Sequence, residues 1–219
     1  MKRIKLSIIP IIGLLLLSSC TSNDDLNTAE ELDNVPYVVT SISNAMYSDT
    51  KEIVTNKIEN TTRALGEEFT EAEAQELMQP FVQDGANVRS QILGLSEELE
   101  LSNEDVELLN GMDESQLAEL SVALNGIEQE FINNSLEVSY TWEDVADCLM
   151  QATGISSIGD LVKDGLSIQC VKNLRDGTKA LIDAKGALNI AKAIGKRTLG
   201  VVGVVWMLYD FGDCLLSKK

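Results

Sequence analysis

Four cysteines carry most of the chemistry open to this chain: Cys20, Cys148, Cys170 and Cys214. There is no histidine among its 219 residues. That absence removes Ser-His-Asp and Cys-His nucleophile systems, histidine acid–base work and every zinc site with an imidazole ligand. Three cysteines with no close C-x-x-C pair do not complete a metal site either. Gly195-Lys196-Arg197 fails as a phosphate loop, because Ile190 stands where the first glycine belongs and Arg197 where Ser or Thr belongs. Gly200-Val-Val-Gly203 lacks the preceding strand and third glycine of a dinucleotide turn. Acidic pairs such as Glu67/Glu68 and Glu97/Glu98 read as solvated faces rather than glycosidase dyads, and the acids lack the spacing of an EF-hand loop. The expectation is a protein with no catalytic residue, no metal and no cofactor.

The N-terminus does a different kind of chemistry. Lys2, Arg3 and Lys5 precede an apolar run over 8–17, too short for a spanning helix of about 20 residues but of secretory-signal proportions. Leu17-Ser18-Ser19-Cys20 follows and resembles the lipobox of bacterial lipoproteins. The resemblance implies cleavage before Cys20, diacylglycerol on its sulfur and N-acylation. Several acyl chains give stable anchoring. The Ser-rich, acidic stretch after Cys20 is similar to the surface-export signal of Bacteroidetes lipoproteins. It implies an outer-membrane protein facing the cell exterior. Residues 1–19 are thus a signal peptide, and 20–35, polar and acidic, read as a flexible tether.

Charge divides the rest. The formal net charge is −18, and 21–140 hold 26 acids against four bases while 141–219 hold nine against ten. Nine of the fifteen glycines follow residue 140. A boundary near 133–140 separates an acidic, mainly helical region, 36–140, from a near-neutral, Gly-rich region, 141–219. Such acidity argues against nucleic acid as a partner.

The elements that position these residues are helices. Thr70–Glu73, Ser102–Asp105, Asp113–Gln116, Thr141–Asp144 and Ser157–Asp160 each place a capping side chain three residues before an acceptor. Pro80 and Gly85 are expected to divide 71–94 into two pieces. Residues 36–65 allow a helix or a short strand. Four helices fit the last region, about 142–152, 158–173, 177–194 and 198–215. The fold class is all-α, an acidic multi-helix region followed by a bundle of about four helices.

On the third of those helices Lys185, Asn189, Lys192 and Lys196 form one side and alanines the other. That cationic stripe is either a solvated face, a contact for an anionic membrane, or a contact for the chain's own acidic half. The fourth contains eleven uncharged residues over 199–209, including Trp206, and demands burial. Gly200 and Gly203 would let a neighbouring helix approach. If the four helices alternate up and down, Cys170 and Cys214 lie ~20 and ~25 Å from the shared end and Cys148 ~7 Å. This favours a Cys170–Cys214 disulfide, with Cys148 free or pairing between molecules.

Two further readings follow. Residues 176–219, net +3, weakly resemble the active segments of helical bacteriocins. Cleavage after Arg175 would then activate a membrane-active piece, with Lys185, Lys192, Lys196 and Trp206 meeting anionic lipid. Alternatively the acidic half of an immunity or inhibitor lipoprotein meets a basic toxin. The leading expectation is a non-enzymatic envelope lipoprotein that binds an unknown protein partner.

Overall fold

The computed structural model of the chain describes residues 35–60, 69–133, 140–165, 168–173 and 177–218. Cys20, the signal, the tether and Arg175 lie outside them, as do the side chains of 168–173 and 177–179. The fold is mostly helical, as expected of the all-α class. The described elements are β1 (Tyr37–Val38), α1 (Asn44–Asn60), α2 (Glu71–Gly94), α3 (Asn103–Asn110), α4 (Glu114–Asn133), α5 (Trp142–Thr153), α6 (Ser156–Gly165), β2 (Ile168–Asn173), β3 (Gly177–Asp183), α7 (Ala184–Ile194) and α8 (Val201–Ser217).

The capping signals act where they can be seen. Thr70/Glu73, Ser102/Asp105 and Thr141/Asp144 form complete capping boxes at α2, α3 and α5. Asp113 and Gln116 exchange the same pair of bonds before α4: Asp113 N–H donates to Gln116 Oε1, and Gln116 N–H to Asp113 Oδ1, each at 2.9 Å. Ser157–Asp160 falls on a side chain outside the described set.

Several expectations need correcting. Helix α2 runs unbroken through Pro80 and Gly85. Pro80 cannot donate to the carbonyl of Glu76, but Glu76 is exposed, so water can satisfy it. Gly85 sits where α2 crosses α4, and a Cβ there would lie 2.0 Å from the Leu117 carbonyl oxygen. The glycine exists for that close approach rather than for a break.

The expected helices 158–173 and 177–194 become a helix, a hairpin and a helix. The chain leaves α6 at Gly165, pairs β2 with β3 antiparallel from Ile168↔Ile182 to Asn173↔Gly177, and resumes helix only after Asp183. β-branched residues at Ile168, Val171, Thr178 and Ile182 suit the pleated strands. The Asp183 carboxylate caps α7 by accepting from the backbone of Lys185 and Gly186. β1 completes a sheet of order β1-β3-β2.

The disulfide also differs. Cys148 of α5 is joined to Cys214 of α8, 66 residues apart. The up-and-down bundle arithmetic fails because Cys170 lies on a strand, opposite Ala180. Helices α5 and α8 run side by side antiparallel, so Asp144 faces Lys218 one turn from the disulfide.

Helix α8 packs against α1, α2, α4 and α5. Buried residues from both charge regions form one continuous core. The change in charge near 133–140 is therefore not a change of core. Among the described residues no helix is long and apolar enough to cross a membrane.

Candidate functional site

The cationic stripe survives on α7 but is not one free surface. Lys185 and Lys196 are exposed. Lys192 is ion-paired at 2.6 Å with Asp105 of α3, so this lysine meets the chain's own acidic region. Hydrogen bonds from Lys192 and then from Ser102 hold the Asp105 carboxyl below its ordinary range. Trp206 is half-buried on α8, its ring edge-on to Tyr209 with centroids 5.9 Å apart. Gly200 and Gly203 admit no neighbouring helix. Among the described residues a Cβ on Gly200 would touch nothing within 4 Å, and one on Gly203 would meet the side chain of Leu199. Gly200 is there for its backbone, with φ +73° and ψ 155°, a conformation open essentially to glycine alone.

The densest polar chemistry lies elsewhere, along α4. Every residue from Ser115 to Gln129 is buried, and the polar ones among them reach outward from α4 to its neighbours. At its first turns Gln116 donates to the carbonyls of Arg197, at 2.6 Å, and Gly195. Glu119, fully buried, pairs with the Arg197 guanidinium, which also donates to the Thr153 carbonyl at the end of α5. Burial pushes the Glu119 carboxyl up, against the pull of Arg197.

In the middle, Ser121 and Asn125 turn to Asp84 of α2. Asp84 is fully buried; its Oδ2 accepts from Ser121 Oγ at 2.6 Å and Asn125 Nδ2 at 2.8 Å. Its Oδ1 accepts from both the backbone and the hydroxyl of Ser41. Further along, Glu128 accepts from Thr40 Oγ1 and from the backbone N–H of Ala180 in β3. Gln91 of α2 reads Val39 on both sides, accepting from its N–H at 2.9 Å and donating to its carbonyl at 2.8 Å.

Each of these carboxylates accepts from donors of the same chain, and among the described residues only Glu119 Oε2 is a buried carboxylate oxygen with no partner. Their work is to hold the extended segment 36–43, the sheet and the α7–α8 connection onto α2 and α4. A shallow groove along the outside of α2 is lined by Ala72, Gln75, Glu76, Gln79, Pro80 and Gln83, and it brings no nucleophile or carboxylate pair together. The exposed surface is acidic: Glu71, Glu73 and Glu76 on α2, Glu97, Glu98 and Glu100 in the following turn, and Glu104 and Glu107 on α3.

The α4 seam was not readable as a site. Its signal is a helix apolar enough to be buried on every side, on which Glu119, Ser121, Asn125 and Glu128 must then be inside and partnered. Comparison with known proteins finds no matching family, curated protein or solved structure.

Proposed function

We propose that the chain is a lipoprotein of the bacterial outer membrane, displayed at the cell surface, that acts by binding a protein partner rather than by catalysis. The observation that carries this reading is Leu17-Ser18-Ser19-Cys20 behind a positively charged apolar leader. The Cys148–Cys214 disulfide supports it, since such bonds persist in exported proteins. The exposed glutamates of α2 and α3 give a partner's basic surface something to select. Burial of α8 at the centre of the fold favours binding over release of a membrane-active segment. A cut after Arg175 would leave 176–219 attached through Cys214.

The test is metabolic labelling with an alkynyl palmitate in a bacterial host that processes lipoproteins. Wild-type protein should carry the label and fractionate with membranes, and Cys20→Ala should do neither. Equal labelling of the two would overturn the anchor. Capture of the acylated protein from intact cells then identifies its partner and its exposure together.

A further inference from the structure

Helix α8 is buried on most sides, but one face of it is open. Trp206, Tyr209, Asp210 and Asp213 follow at spacings of three, one and three, so they share that face over two turns. Both rings are half-buried and both aspartates are exposed. The rings meet edge to face, with an interplanar angle of 88°. The ion pairs formed among the described residues include neither Asp210 nor Asp213. Lys51 of α1 lies against Gly212, on the flank of this face. Partial burial, and then the charge of Asp213, push the Asp210 carboxyl up. Every one of these features favours a positive charge: the faces of the rings attract it, and it offsets the repulsion between two carboxylates.

The chain shows elsewhere what such a set of groups holds. Before α2, Lys57 Nζ lies 4.4 Å over the centre of the Phe69 ring and 2.8 Å from the Glu73 carboxylate. One ammonium satisfies one ring and one carboxylate, and the Lys57 hydrogen bond leads in lowering Glu73 to about 2. On α8 there are two rings and two carboxylates a helical turn apart, and Asp210 is shifted the other way. That set suits a guanidinium better than an ammonium, since it aims five donors in one plane and stacks on aromatic rings. We propose that this face of α8 binds an arginine side chain of the partner protein, its guanidinium packed on the Trp206–Tyr209 pair and hydrogen-bonded to Asp210 and Asp213. Leu216, one turn further on, is the most exposed large hydrophobic residue among those described and gives the partner an apolar contact beside the arginine. Trp, Tyr and Arg are the residues that dominate interface energies. The proposal deepens the protein-partner reading above and rests on it: the glutamates of α2 and α3 attract a basic surface at long range, and α8 anchors it.

The test uses the full acylated chain in maltoside micelles, with 5-fluorotryptophan at its two tryptophan positions. The fluorine signal that Trp206→Phe removes belongs to Trp206. The probe is the peptide acetyl-Ala-Arg-Ala-amide, titrated into the millimolar range, beside isosteres carrying citrulline or lysine in place of arginine. A saturable shift of the Trp206 signal is expected with the arginine peptide and none with the citrulline one. Replacing both carboxylates, Asp210→Asn with Asp213→Asn, should weaken the binding about tenfold. No shift with the arginine peptide, an equal shift with citrulline, equally tight binding of the lysine peptide, or undiminished binding by the double variant overturns the proposal. Both aspartates are exposed, so the variant should fold. Should it not, Asp213→Asn alone is read in the same way. Capture from intact cells separates the two readings. A partner captured equally by wild type and the double variant defeats the α8 site alone. An arginine-specific shift without any captured partner supports the site and defeats the protein-partner reading.

Discussion

The two charge regions bury different things. Region 36–140 places three carboxylates, Asp84, Glu119 and Glu128, inside the molecule, whereas in the described part of 141–218 the one buried polar side chain is Thr153. The second region answers with donors, the Arg197 guanidinium and the Ala180 amide, and with the Cys148–Cys214 bond. The acidity of the first region is thus of two kinds. Among the described residues most of it is exposed, on α1, α2, the turn that follows, α3 and the start of α4. A few acids on α2 and α4 are structural, consumed in joining the two regions across a common core.

The largest expected effect sharpens this picture. Replacing Cys148 and Cys214 by alanine should cost about 4 kcal/mol, from the loop-entropy relation for a bond closing 66 residues. Because α8 belongs to the core of both regions, urea unfolding should shift as one transition. Unfolding of the second region alone would break the comparison. Next comes Asp84→Ala, which strands the donors of Ser41, Ser121 and Asn125. A loss of about 3 kcal/mol is expected by urea denaturation, with residues 36–43 loosened in hydrogen exchange.

Arg197→Met leaves Glu119 buried beside no cation and should cost about 2 kcal/mol at neutral pH. Its pH dependence has a definite sign. The folded Glu119 carboxyl lies above its ordinary value, so the folded state binds the proton more tightly. Stability from this group is present below the unfolded pKa and lost as pH rises through the folded one. The Arg197→Met deficit should therefore shrink on acidification.

Smallest is Lys192→Ala, which removes the half-buried partner of Asp105. The folded Asp105 carboxyl is lowered, first by Lys192 and then by Ser102. Its contribution is present above the unfolded value of 3.8 and fades as pH falls below it. Melting curves of Lys192→Ala and wild type should converge at low pH. Glu73, lowered to about 2 by Lys57 and by its capping box, follows the same sign.

Much of the helical framework was legible because capping is local. Thr70, Ser102, Asp113 and Thr141 mark helix starts within a residue or two, and the uncharged stretch 199–209 announces a buried helix. The hairpin was not legible. Alanines at 180, 184, 187 and 191 read equally well as one helical face, and nothing local shows that Asp183 caps a new helix rather than continuing an old one. The disulfide failed with it, since its prediction required Cys170 on a long helix. The α4 seam was hidden for another reason. A buried glutamate and a solvated one have the same sequence signature until the helix around it is known to be covered on all sides.

The central claim, that 36–140 and 141–218 share one core stitched along α4, is tested most directly by native-state hydrogen exchange in increasing urea. Amides of α2, α4, α5 and α8 should converge on a single opening free energy with a common urea dependence. Earlier opening of α5 and α8 as a separate unit, with α2 and α4 still protected, would contradict it.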